Sequence, residues 1–296
     1  MHRPSFIKTN EPLNRHCTLK IGGNADYFAE PENEQQIIEA LNFSTQNQLS
    51  YFVIGHGSNL LFADEGYRGV IIKLAEKFAE IKVENNTVTA QAGAWMPYVA
   101  RKTQVAGLVG LEHTIGIPGN IGGIVNMNAG SQRKSIAQKL IAVRYIDEQG
   151  QIKSIAVNDC EFGYRQSIFQ NNKWLILEAK FQLEKGDKKQ IRHTMRTILS
   201  ERRKKFPRKE PNCGSVFKSN PAMYEKYGPP GQIIEDLGIK GKQIGGIQIS
   251  PKHANFFVNT GGATAVEFVD ILKYVQDKTF IKLGFQLVAE VQRVKR

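Results

Sequence analysis

A chain of 296 residues with 41% hydrophobic content can bury a large core and divide into two or three subdomains. Its formal net charge of +12 points to anionic partners, either nucleic acid or small ligands rich in phosphate and carboxylate, and carries no information about fold. Cys17, Cys160 and Cys213 are odd in number, widely spaced and without a Cys-x-x-Cys pair, so no disulfide framework and no metal site is expected, and a reducing compartment is. The N-terminus has no apolar h-region and no stretch approaches the roughly 18 apolar residues of a membrane span, so a soluble cytoplasmic protein is expected.

In chain order, apolar residues Ile37, Ile38 and Leu41 at helical spacing predict a helix over 32–46, with Pro31 suited to its first turn. Tyr51 to Ile54 reads as a short buried strand running into a glycine loop, and Val70 to Leu74 as another strand. Hairpins are expected at 81–83 with 88–92 around Asn85-Asn86, and at 142–146 with 152–156 around Gly150; between them a helix over 96–105 closes at Gly107. Alternating apolar positions 175, 177, 179, 181 and 183 give the clearest strand. From Asp187 to Lys205 the pattern turns helical, with Ile191, Met195, Ile198 and Leu199 on one stripe and basic residues elsewhere, read as the connection between two domains. Short and longer helices follow at 233–237 and 265–275, the second behind the capping box of Thr264 and Glu267, and a last strand spans 286–294.

Ser215 lies in Asn212-Cys213-Gly214-Ser215-Val216-Phe217-Lys218, directly after the most basic run of the chain, Arg202 to Lys209. A nucleophilic serine needs a base and an oxyanion hole. This chain has no Gly-x-Ser-x-Gly elbow, and no histidine stands near Ser215 in sequence, so hydrolysis is not the first reading.

Two glycine-rich loops are candidate ligand cradles. In the first, Gly55, Gly57, Ser58, Asn59 and Leu60 follow a strand, offering backbone N–H groups to an anion with equal weight on a plain tight turn. It fits neither Gly-x-Gly-x-x-Gly nor a Walker loop. The second, 116–123 followed by 126–130, holds Ile117, Pro118, Gly119, Gly122, Gly123, Asn128 and Gly130; a segment so poor in apolar burial and so costly to order suits close approach of backbone to a ligand. Together the loops could hold a dinucleotide diphosphate.

The loop 54–61, the segment Gly110-Leu111-Glu112-His113-Thr114-Ile115-Gly116-Ile117-Pro118-Gly119, Tyr164-Arg165-Gln166-Ser167 and 212–218 resemble, in order, the UDP-N-acetylenolpyruvylglucosamine reductases, the MurB family. The likeness runs from Leu13-Asn14-Arg15 through His253-Ala254-Asn255-Phe256 to Leu287-Val288-Ala289-Glu290-Val291. It implies an α+β protein: a two-subdomain FAD-binding fold of the vanillyl-alcohol-oxidase kind over 1–190 (about 1–78 and 79–190), and a C-terminal α+β substrate-binding domain over 200–296, with the last strand free to return to the FAD domain. It implies FAD as cofactor, NADPH as hydride donor and a UDP-sugar as substrate, in peptidoglycan synthesis, and leaves the oligomeric state open, a monomer included.

The resemblance assigns Arg165, Ser215 and Glu290 to catalysis. Arg165, permanently charged and planar, would bind the substrate carboxylate and stabilise developing charge. Glu290, as a neutral acid, would donate a hydrogen bond to the enolate, and Ser215 would protonate the carbanionic carbon with Lys218 beside the resulting alkoxide. Without the resemblance, a surface salt bridge for Arg165 and a solvated strand position for Glu290 would be preferred. The two loops become cofactor-binding, and Tyr164, Lys205, Lys218, Asn220, Lys240 and His253 substrate-binding. Three departures are visible: Ser219 is an extra residue before Asn220, Val288 replaces a glutamate, and Ser131-Gln132 replaces an Ala-Tyr. No insertion supplies a substrate-capping tyrosine, as in the compact class of the family. Two alternatives stand beside this reading. One is an FAD oxidase of the same fold acting on another substrate. The other is a basic nucleic-acid-binding protein, which lacks any RNP, helix-turn-helix or zinc pattern.

Overall fold

The computed structural model describes residues 3–219, 223 and 226–295; Asn220 lies outside them. The chain divides into two compact units, one of Met1–Thr9, Tyr27–His56 and Gly69–Arg202, the other of Asn10–Asp26, Gly57–Arg68 and Arg203–Arg296. The fold is α+β.

The first unit is built on two sheets. In one, the order is β1 (Ile7–Pro12), β2 (Asn24–Ala29), β5 (Tyr67–Lys73), β3 (Tyr51–Ile54), with β3 parallel to β5. Helix α1 (Glu34–Gln46) buries Ile37, Ala40 and Phe43. It starts two residues later than the sequence suggests, because Asn33 accepts a hydrogen bond from Gln36 N–H and takes the cap, leaving Pro31 outside. The other sheet is antiparallel, in the order β12 (Ile152–Ala156), β11 (Leu140–Ile146), β13 (Leu175–Gln182), β7 (Thr87–Gln91), β6 (Ile81–Glu84). Asn85 and Gly150 turn the two expected hairpins at φ 53° and 76°. The alternation read in β13 is a buried face: Leu175, Leu177, Ala179 and Phe181 are each no more than 2% exposed, and they pack with Val88, Ala90, Val143 and α3 (Ile121–Asn126). Helix α2 (Met96–Ala106) ends at Gly107 in the left-handed conformation. Two small pairs, β8 (Leu108–Val109) with β14 (Glu184–Lys185) and β9 (Gly130–Ser131) with β10 (Lys134–Ser135), complete the unit. Helix α4 (Lys188–Lys205) seats Ile191, Met195 and Ile198 against Ala100 and Ile115.

The second unit carries the antiparallel sheet β15 (Asn212–Ser215), β18 (Phe256–Asn259), β17 (Ile247–Ile249), β16 (Gln243–Ile244), with α5 (Pro230–Asp236) and α6 (Ala265–Leu283). Helix α6 runs two turns beyond the expected end. Its start is secured by the Thr264–Glu267 capping box, and Asp64 accepts hydrogen bonds from Ala265 and Val266 N–H. The last strand is shorter than expected. Residues 288–290 lie beside 216–218 through Lys218 N–H to Val288 O, Glu290 N–H to Val216 O and the Phe217–Ala289 bridge. The chain then shifts to a new neighbour, so that β19 (Gln292–Val294) pairs in parallel with β4 (Leu60–Phe62).

Candidate active site

In the first unit the two glycine-rich loops adjoin. A Cβ on Gly55 would stand 2.8 Å from Asn120 Oδ1, so a side chain there would press on Asn120. The second loop is threaded into position by backbone bonds from Met96 N–H to Gly119 O, Ile121 N–H to Ala94 O and Gly122 N–H to Ala92 O, each 2.9 Å. The His56 ring lies on that of Trp95, at 4.4 Å between centroids. Asn120 is 4% exposed and its Oδ1 has no hydrogen-bond partner, while a Cβ on Gly123 would meet no atom within 4 Å. The cradle thus has a buried polar atom in want of a partner and an open glycine face.

Asn128 is placed differently from the donor role expected of it. At φ 41° its amide donates to Gly163 O and its Oδ1 accepts from Ala137 N–H. Gly163 and Gln166 exchange backbone hydrogen bonds around the two-residue turn Tyr164-Arg165, with Arg165 at φ 56°. Ser167 Oγ and Gln170 Nε2 both donate to Asn126 O, and Gln170 also donates to Arg165 O. The arginine is therefore carried on a turn pinned to the 126–128 segment, with its guanidinium 5.4 Å from the Tyr164 ring centre. Asn126 belongs to the second glycine-rich segment but acts here through its backbone carbonyl, and Gln170, which sequence does not single out, acts through its side-chain amide on the carbonyls of Asn126 and Arg165, a role no side-chain pattern announces.

In the second unit, Gly57 at φ 67° packs on His16 and Cys17, where any side chain would collide with the His16 carbonyl. Thr18 Oγ1 donates to Asn212 O at 2.6 Å. Between Asn212 and Ser215 the pairing with β18 shifts register: Gly214 takes φ 79°, its N–H bonded to Asn212 Oδ1, and the bulge sets Ser215 opposite Phe256. Ser58 O is the one atom near the open face of Gly214, at 3.8 Å from where a Cβ would lie. Asn59 holds the backbone around Glu290: its Nδ2 donates to the Glu290 main-chain O at 3.1 Å and its O accepts from Gln292 N–H at 2.9 Å. Leu60, expected in the loop, begins β4 and is buried. Ser58, Asn59, Ser215 and Glu290 are thus brought together in this unit.

Ser215 opens on a cavity of about 470 Å³ lined also by Lys205, Phe206, Ser219, Gln232, Glu235, His253 and Asn255. The histidine that sequence proximity did not supply is therefore delivered by the fold. It is a poor base: burial, then the charge of Lys205, lower its pKa to about 4. Its Nδ1 accepts from Asn255 N–H at 3.3 Å, which leaves Nε2–H as a neutral donor. Phe206 stacks on Phe256 at 4.9 Å and holds Lys205 at the rim. Lys240 reaches Glu235 at 2.8 Å, and Lys218 is half-buried beside the last chain segment. Burial pushes the Cys213 thiol up to about 12, with Cys17 and Glu290 adding to the shift, so Cys213 is an inert filler. Among the described residues no cluster of three or more His, Cys, Asp or Glu could hold a metal ion, and no helix is long and apolar enough to cross a membrane.

Residues 25–156 match the family described as FAD binding domain. The cradle of the first unit and this match define a flavoprotein built on a glycine-loop FAD domain. Residues 206–294 match the C-terminal domain of UDP-N-acetylenolpyruvoylglucosamine reductase. The chain is 39% identical to UDP-N-acetylenolpyruvoylglucosamine reductase 1 of Corynebacterium glutamicum, over 96% of this chain and 84% of that one. It is also 39% identical to the UDP-N-acetylenolpyruvoylglucosamine reductase of Carboxydothermus hydrogenoformans, over 97% and 94%. The crystal structure of the MurB reductase of Thermus caldophilus superposes with a TM-score of 0.81 at 29% identity, covering 97% of each chain. The chain belongs to the UDP-N-acetylenolpyruvoylglucosamine reductase family. The residues present fit FAD: glycines whose side chains would fill or collide with the cradle, and a buried amide oxygen without a protein partner.

Proposed function

We propose that this chain catalyses the NADPH-dependent, FAD-containing reduction of UDP-N-acetylenolpyruvylglucosamine to UDP-N-acetylmuramate for peptidoglycan synthesis, in the cytoplasm. The observation that carries this reading is the end-to-end family likeness together with a cavity of about 470 Å³ that has Lys205, Lys252 and Ser215 on its walls. Bound FAD supplies the hydride chemistry, from NADPH and on to the enol ether. Gly55, Gly119, Asn120, Gly122 and Gly123 would hold it, with Gly57 and Ser58 continuing the first loop. Gly130 shapes the hairpin after the second loop, and Ile117 and Pro118 brace it.

Around that centre the chain's own groups divide the work. Arg165 takes the substrate carboxylate, where negative charge grows as hydride reaches the methylene carbon. Glu290 donates to the enolate oxygen. Ser215 gives its proton to the carbon bearing the carboxylate, and Lys218 stabilises the alkoxide left behind. Lys205 and Nε2–H of His253 receive the diphosphate, with Tyr164 and Lys240 completing the substrate contacts and Asn220 assigned there by resemblance. A neutral histidine of low basicity suits this scheme, because it cannot take the proton that Ser215 must deliver.

The test separates the half-reactions. Ser215→Ala is expected to let NADPH bleach the flavin at the parental rate while reoxidation by the enolpyruvyl sugar falls at least about a thousandfold, the scale of a lost proton donor. Normal turnover by this variant would remove the proton-donor role. Prompt single-turnover reoxidation of the parent by the enolpyruvyl sugar separates this function from that of an FAD oxidase.

A further inference from the structure

Helix α4 carries eight Lys or Arg among its 18 residues and a single acid, Glu201. At 100° per residue, Lys188, Arg192, Arg203, Arg196, Lys189 and Lys204 fall within one arc of about 160°, and Glu201 falls outside it. All six are exposed, and none forms a side-chain ion pair among the described residues. Four exposed lysines elsewhere each have an acidic partner: Lys8 with Glu30, Lys77 with Glu32, Lys82 with Glu80 and Lys153 with Asp147.

The arrangement works against the helix itself. Lys188 and Lys189 stand at the positive end of the helix dipole, where no acidic residue shares the first turn, and Lys188–Arg192 and Arg192–Arg196 are like-charge pairs at i,i+4. Asp187, which accepts from Gln190 N–H, caps the end but leaves the cations unmatched. An anionic partner would relieve both conflicts at once.

We infer that this face of α4 is a peripheral docking surface for an anionic phospholipid bilayer. Six cations spread over about 24 Å of straight helix present a broad front suited to a plane of phosphates. The exposed arc holds one ring, that of His193, but no Phe, Tyr or Trp on which a run of single-stranded bases could stack and no Asn or Gln to read base edges, which disfavours a nucleic-acid partner. It also holds no large apolar residue for insertion beyond half-buried Leu199, so the contact is electrostatic and salt-reversible.

The test is co-sedimentation of the FAD-loaded protein with vesicles of phosphatidylglycerol and phosphatidylcholine, against phosphatidylcholine alone, at low and high salt. Binding is expected only on the anionic vesicles and only at low salt. The variant K188Q/K189Q/R192Q/R196Q is expected to lose about a hundredfold or more in partitioning, at about fivefold per cation, with an equal or higher thermal midpoint and unchanged flavin absorbance. The variant K8Q/K77Q/K82Q/K153Q, which loses the same charge from matched sites, is expected to bind as the parent does. Absence of binding to anionic vesicles at low salt, or equal loss in both variants, overturns the proposal. So does preferential capture by duplex DNA when DNA and vesicles compete, which would assign the face to nucleic acid.

Discussion

Two histidines show how burial sets chemistry residue by residue. His253 in the cavity and His113, 5% exposed in the first unit, both have pKa values lowered from 6.5 to about 4, chiefly by burial and then by a nearby lysine, Lys205 or Lys134. Because the folded value is depressed, the unfolded chain binds more protons between these limits. Stability contributed by the neutral rings is complete above pH 6.5 and is lost as pH falls toward 4. The slope in this window is expected to be up to about 1.4 kcal/mol per pH unit for His113 and less for the more exposed His253. Denaturant unfolding from pH 4 to 7 checks this, and His113→Phe should reduce the slope; an unchanged slope would show that His113 does not contribute. The proposed catalytic roles of Ser215, Glu290 and Arg165 rest, at the level of sequence, on family likeness, since composition alone favours ordinary surface roles. Asn59 and Asn128 illustrate the limit of side-chain reasoning. Both looked like ligand donors, and both spend their amides on backbone carbonyls, of Glu290 and Gly163.

Among the elements, α3 and the loop before it give the sharpest expectation. Gly123 lies in the first turn of α3 with nothing within 4 Å of its missing Cβ, so a side chain there displaces no protein atom. Gly123→Leu is expected to yield a folded but colourless protein, with apoprotein stability within about 1 kcal/mol of the parent. A yellow, fully loaded variant would move the cofactor away from this face. The long elements were legible because their periodicity is strong: α2, α4 and β13 start and stop within about a residue or two of the apolar pattern. The short ones were not. β4 is three residues long and takes up the end of the glycine-rich segment 54–61. The final strand, continuous in its apolar pattern, changes partner between Glu290 and Gln292, and pairing between distant segments leaves no local trace.

At the scale of the whole molecule, the α+β class was evident from the order of helices and strands, whereas the discontinuous make-up of the units was not. The second unit draws on Asn10–Asp26 and Gly57–Arg68 as well as the chain after Arg203. A fragment of residues 200–296 alone lacks Asp64, which caps α6, and β4, which pairs with β19. It is therefore expected to give little native near-ultraviolet dichroism and no cooperative melting transition; a cooperative transition would show that the C-terminal segment is self-sufficient. The β4–β19 pairing has a consequence for biogenesis. Asn59 and its partner Glu290 are 231 residues apart, and at about 5–20 residues per second of synthesis the apolar strand beside Asn59 must wait on the order of 10–50 seconds for the end of the chain. Throughout that interval Leu60, Leu61 and Phe62 lack their partner strand. Translation speed and chaperone supply, rather than the stability of the finished protein, should then govern how much of it matures.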